Sequence, residues 1–145
     1  MDPVSELERG ACELAAALGP AGFAFVLLQS GRSSGGMFAS GEFRKGDRRL
    51  ELHFRWSLGL VAYHVGGDSL AHDDFVRAMQ STEDIQGTPE YPGFSDDPQA
   101  AFRGLRADLE RFGRVFISGT ANEFRALKRW VNGHPKPTGF GALAR

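Results

Sequence analysis

One cysteine, Cys12, is all the thiol chemistry the chain carries, which excludes an internal disulfide and any thiolate metal cluster within one chain. No histidine stands near it in sequence to activate a thiolate, so Cys12 reads as an ordinary helix residue. Long apolar runs are also missing: none approaches the roughly 20 residues that a membrane span needs. The N-terminus lacks the basic start and apolar centre of a secretory signal, and the expectation is a cytoplasmic protein with no membrane contact. Charge of one sign is lacking too. With 17 Lys and Arg against 18 Asp and Glu the formal net charge is −1, far from the basic field of a nucleic-acid binder. There is no internal repeat and no low-complexity block.

What is present suits one domain. The 145 residues, 41% of them hydrophobic, fill a single core; the expected division is one α+β domain over 1–133 and a flexible tail over 134–145. The stretch from Leu50 to Val65 organises the rest. From Leu50 to Trp56 the even positions are Leu, Phe or Trp and the odd ones Glu, His or Arg, whereas from Val61 to Val65 the odd positions are apolar. That switch of parity predicts two strands folded about Leu58-Gly59. This register pairs Phe54 with Tyr63 and Leu52 with Val65 on the apolar face, and His53 with His64 on the other.

Met37, Ala39, Gly41 and Phe43 alternate with polar or exposed positions, and Gly46-Asp47 has the composition of a tight hairpin turn. Pairing about that turn sets Phe43 against Leu50, Ala39 against Phe54, Met37 against Trp56 and Ser40 against His53. Phe23–Leu28 reads as a further strand, central or covered by a helix. The glycine-rich segment Gly31–Gly36 has no lysine followed by Ser or Thr and no helix after it, so it reads as a flexible connection and not as a phosphate loop.

Helical spacing marks the remainder. Val4, Leu7, Ala11, Leu14 and Leu18 form one stripe behind Asp2-Pro3. His72, Phe75, Val76 and Met79 form a second, with Asp68 or Ser69 as the expected cap and Asp73 and Asp74 in the first turn. Asp97-Pro98 starts a third, and Thr120 with Glu123 has the capping-box pattern of the last. Val115–Ile117 fits a short strand or a buried connector equally well. The expected fold is therefore an N-terminal helix, a four-stranded antiparallel meander and three C-terminal helices packed on one face.

Between the second and third helices, Ser81 to Asp97 has no period and carries five acids and no base. Loops of that length are uncommon in small domains unless they function. The helices that follow, read from Arg103 to Arg129, are net positive by four; mixed surface charge neutralising itself is the plain account. The sharper account makes Glu83, Asp84, Glu90, Tyr91, Phe94 and Asp96 a docking site for another, basic protein, with the two aromatics as anchors and the acids speeding encounter. His53, Arg55 and His64 on the polar sheet face form a second candidate surface.

Catalytic readings are incomplete. Ser40 beside His53 lacks an orienting acid and an oxyanion hole, and Ser57-Leu-Gly59 has no leading glycine for a nucleophile elbow. The alternative is a metal-dependent enzyme or sensor centred on His53 and His64, with Glu51 or His72 as third donor; no cofactor is expected. A small-molecule pocket lined by Phe25, Phe54, Trp56 and Tyr63 is the remaining alternative. Size, charge and layout resemble those of bacterial toxin-neutralising immunity proteins and secretion chaperones, although no motif identifies either. The expected function is thus protein–protein interaction without enzymatic activity, with self-association through an edge strand or the first helix left open.

Overall fold

The computed structural model describes residues 2–93 and 95–136. In chain order the elements are α1 (Pro3–Leu18), a single 3-10 turn at Gly19–Ala21, β1 (Ala24–Ser33), β2 (Gly36–Lys45), β3 (Arg48–Phe54), β4 (Leu58–Val65), β5 (Asp68–Ala71), α2 (His72–Thr82), α3 (Ala100–Phe112), α4 (Arg114–Ser118) and α5 (Ala121–Gly133). The strands form one antiparallel sheet in sequence order from β1 to β5. The α+β class holds, with five strands where four were expected and four helices after the sheet in place of three. Residues 137–145, most of the expected tail, lie outside the described residues.

The β2–β3 register is the one its turn composition requires. Phe43 faces Leu50, Ser40 faces His53 and Ala39 faces Phe54, and Gly46 takes the left-handed φ of +58° that such a turn needs. The β3–β4 register differs from expectation. Tyr63 faces Leu50 where Phe54 was expected, and His64 faces Arg49 where His53 was expected. The physical reason lies in the turn. Gly59 has no left-handed φ among the described residues, so Leu58-Gly59 is not a two-residue hairpin bend; the chain turns through Arg55-Trp56-Ser57 instead, and Leu58 is already in β4. Because the slip from residue 54 to 50 is an even number, every side chain keeps its face. Phe54 and Tyr63 share the buried side, both 1% exposed.

Three further expectations change. β1 is an edge strand and not a central one, and it runs through Ser30–Ser33, so only Ser34 and Gly35 remain of the expected flexible connection. Asp68 and Ser69 do not cap a helix: with Leu70 and Ala71 they pair with β4 as β5, and α2 begins directly at His72. Leu70 explains this, because pairing with Tyr63 buries it. Val115–Ile117 is helical, in α4. Its end is covered by Arg48, whose guanidinium donates to the Val115 carbonyl at 3.1 Å, to the Phe116 carbonyl at 2.6 Å and to that of Gly119.

Helix signals elsewhere held. Asp2 accepts from the Val4 amide at 3.2 Å with Pro3 in the first turn, and both halves of the Thr120/Glu123 capping box form. Asp97 acts one turn early, its carboxylate accepting from the Gln99 amide at 2.9 Å and its carbonyl from Ala100, so Asp97-Pro98-Gln99 is a turn feeding α3. The buried stripes of all the helices join the apolar side of the sheet in one core. Phe102 of α3 stacks on Phe54, and Tyr63 stacks on His72 and Phe75 of α2 and meets Phe116 of α4 edge-on.

Candidate functional site

On the polar side of the sheet, Glu51 stands between the two histidines. His53 Nε2 lies 2.6 Å from one of its oxygens and His64 Nε2 2.7 Å from the other, while His64 Nδ1 is 2.6 Å from Ser69 Oγ. The two imidazoles are thus bridged by a carboxylate instead of paired directly. Partial burial acts to raise the Glu51 carboxyl, but the hydrogen bonds and charges of His53 and His64 outweigh it and hold it below its ordinary value. Beside this group Glu42 is buried beneath Arg44 and Arg49, at 2.9 and 3.2 Å. Among the described residues no group of three or more His, Cys, Asp or Glu is arranged to hold a metal ion.

Arg55, the third candidate on this face, joins the β3–β4 turn to the β1–β2 hairpin. It donates to the Gly36 carbonyl at 3.1 Å and to Ser33 Oγ at 2.8 Å, and lies over the Phe38 ring. Two of the four aromatics expected to line a small-molecule pocket, Phe25, Phe54, Trp56 and Tyr63, lie in the core and one at the surface. Phe54 and Tyr63 are packed in the core, whereas Trp56 is 68% exposed.

The loop between α2 and α3 is pinned. Asp108, 2% exposed on α3, accepts the Glu90 amide at 2.7 Å through one oxygen and the Tyr91 amide at 2.9 Å through the other. Gly104, one turn before it, makes room: a Cβ there would lie 3.0 Å from the Glu90 carbonyl oxygen. Tyr91 was expected to face a partner and instead turns inward, its hydroxyl within 2.9 Å of the carbonyls of both Leu58 and Gly59. Burial pushes its phenol up to about 12. Phe94, the other expected anchor, lies outside the described residues.

Two of the five loop acids are neutralised internally. Glu83 pairs with Arg114 and Asp97 with Arg103 at 2.9 Å; the Arg103 hydrogen bond, with that of the Gln99 amide, holds the Asp97 carboxyl below its ordinary value. Asp84, Glu90 and Asp96 have no ion-pair partner among the described residues, and Asp84 adopts a left-handed φ of +52°. Beside the loop lies a groove of about 700 Å³, lined by Ser57, Leu58 and Ala101 together with Pro92, Gly93, Ser95 and Asp96 of the loop. Across Leu58 and Pro92 a second hollow of about 470 Å³, mostly apolar, reaches Leu60 and Val61.

A hydrogen-bonded chain runs beneath this second hollow. Tyr63 donates its hydroxyl proton to His72 Nδ1 at 2.7 Å, and His72 donates from Nε2 to Asp108 at 2.9 Å. One histidine tautomer satisfies the whole chain. Burial, reinforced by the Asp108 charge, raises the Tyr63 phenol well above its ordinary value. Both ring nitrogens of His72 and both oxygens of Asp108 are thereby hydrogen-bonded, and the two residues are 5% and 2% exposed. His72, expected beside a helix start, is there but fully covered. Sequence reasoning missed Asp108 and Gly104; the available signal was an acid inside the apolar stripe Phe102, Leu105, Leu109, Phe112, one turn after a glycine. No protein-family model matches this chain, and neither curated proteins nor solved structures give a match.

Proposed function

We propose that the protein is a protein-binding module whose docking surface is the groove between the β3–β4 turn and the acidic loop. The observation that carries this reading is the double attachment of the loop, by the Glu90 and Tyr91 amides to Asp108 and by the Tyr91 hydroxyl to β4. A loop so held presents its acids without the ordering cost that a mobile segment incurs on binding. The groove walls combine apolar Leu58, Pro92 and Ala101 with the charge of Asp96, and exposed Trp56 and Leu60 flank the turn that forms one wall. An occupant matching this chemistry is a basic segment carrying an aliphatic or aromatic anchor.

Selection of a displayed random-peptide library against the purified protein tests the proposal. Enriched peptides are expected to be rich in Lys or Arg around an apolar anchor, and to lose about tenfold in affinity on Asp96→Asn with Glu90→Gln, the scale of one or two rim charge contacts. Enrichment without a basic bias, or binding indifferent to these substitutions, removes the groove from consideration.

A further inference from the structure

We propose that two copies of this chain join edge to edge through β1, about a twofold axis, into one continuous antiparallel sheet. A strand at a sheet edge offers a row of unpaired amides and carbonyls, and proteins that remain monomeric blunt such edges with proline, lysine, short length or a covering element. The β5 edge is protected in this manner: it has four residues, Lys128 donates to its Ser69 carbonyl at 2.9 Å, and it passes directly into α2. The β1 edge is not. Its ten residues, AFVLLQSGRS, contain no proline or lysine and one charge, Arg32, and its middle exposes Leu27 at 39% and Leu28 at 44%.

The irregularity in β1 leaves only every second alignment, and pairing over the full strand length selects one of these. Pairing with β2 shifts between Leu27 and Gln29, leaving Leu28 as the extra residue. Before the bulge the odd residues share the face of Phe43, whereas after it Ser30 shares the face of Ala39, so the bulge exchanges the parities. In a twofold antiparallel pair, the first half of each strand lies against the second half of the other. Full-length pairing then sets Phe25 against Arg32, Val26 against Gly31 and Leu27 against Ser30 of the second copy, and in each pair both residues belong to the same face. A slip of one residue mismatches every pair. Leu28 comes to the axis, where its exposed side chain is covered by its own copy. Arg32 falls opposite an aromatic ring and not opposite another Arg32, and a net charge of −1 per chain opposes association little.

This inference is independent of the groove reading. Sedimentation velocity of the full chain from micromolar to millimolar concentration is expected to show a dimer, and Leu28→Lys to raise its dissociation constant at least tenfold, with circular dichroism unchanged because the side chain is exposed. In a Cys12→Ser background, Leu27→Cys with Ser30→Cys is expected to give a covalent dimer under mild oxidation, since directly opposed positions bring Cβ atoms to about 4.5–5.5 Å. Leu27→Cys alone is expected to cross-link far less. A monomer at every concentration, a dimer indifferent to Leu28→Lys, or equal cross-linking by the single and double variants overturns the proposal.

Discussion

Asp108 holds three partners from a site almost closed to solvent. Two are loop amides and the third is His72, so removing the carboxylate leaves all three buried groups short of an acceptor. Asp108→Ala is therefore expected to cost several kcal/mol, on the order of 1–3 for each buried donor left unpaired, read as a lower urea midpoint. Limited proteolysis should then cut the loop near Glu90 faster than in the parent. Residues of this kind are hard to read from sequence. An acid on an amphipathic helix normally faces solvent, and Tyr91, sitting in a loop with no period, carries no sign of whether it points in or out. His72 was legible as part of a buried stripe, because periodicity reports burial; its two hydrogen-bond partners come from β4 and α3, and no local pattern reports those.

At the level of elements, periodicity and turn chemistry reach further. The α1 stripe, the α5 capping box and the β2–β3 register were all legible, since each depends on residues close together in sequence. The β3–β4 register was not. Alternation defines faces, but a slip by an even number leaves faces untouched, and only the backbone angle at Gly59 distinguishes the two bends. The crossing of α1 and α3 was equally hidden. It depends on Gly10, where a Cβ would lie 2.3 Å from the fully buried Phe102 ring. Alanine at this position would on helix propensity alone gain about 1 kcal/mol. The ring cannot retreat, because Phe54 stacks behind it, so Gly10→Ala is expected to be net destabilising by about 1–3 kcal/mol, the usual cost of overpacking. Thermal melting decides between the two signs.

Across the whole molecule, ionisation sets a pH window for stability. Asp2, Glu51, Asp73, Asp97 and Glu123 all have carboxyls held below their ordinary values of 3.8 and 4.5. Groups shifted down contribute stability that is present above those values and lost as pH falls through the folded ones. Tyr63 and Tyr91 are shifted up from 10.0, so their contribution is complete below that value and lost as pH rises through the folded ones, about 12 for Tyr91. Melting temperature is expected to hold a plateau between these limits and fall outside both. The chain has only these two tyrosines, so tyrosinate absorbance should stay suppressed in the folded protein well above pH 10 and appear together with unfolding.

Ala71 is the last residue of β5 and also the position from which α2 starts, and this shared residue has a consequence for how the molecule opens. An ordinary outer strand can peel away by itself, exchanging its amide hydrogens with solvent while its neighbours remain closed. Here peeling β5 pulls on the first turn of α2, where His72 is bonded to Tyr63 and Asp108. Amides of Leu70 and Ala71 should accordingly exchange with deuterium at rates near those of the helix behind them.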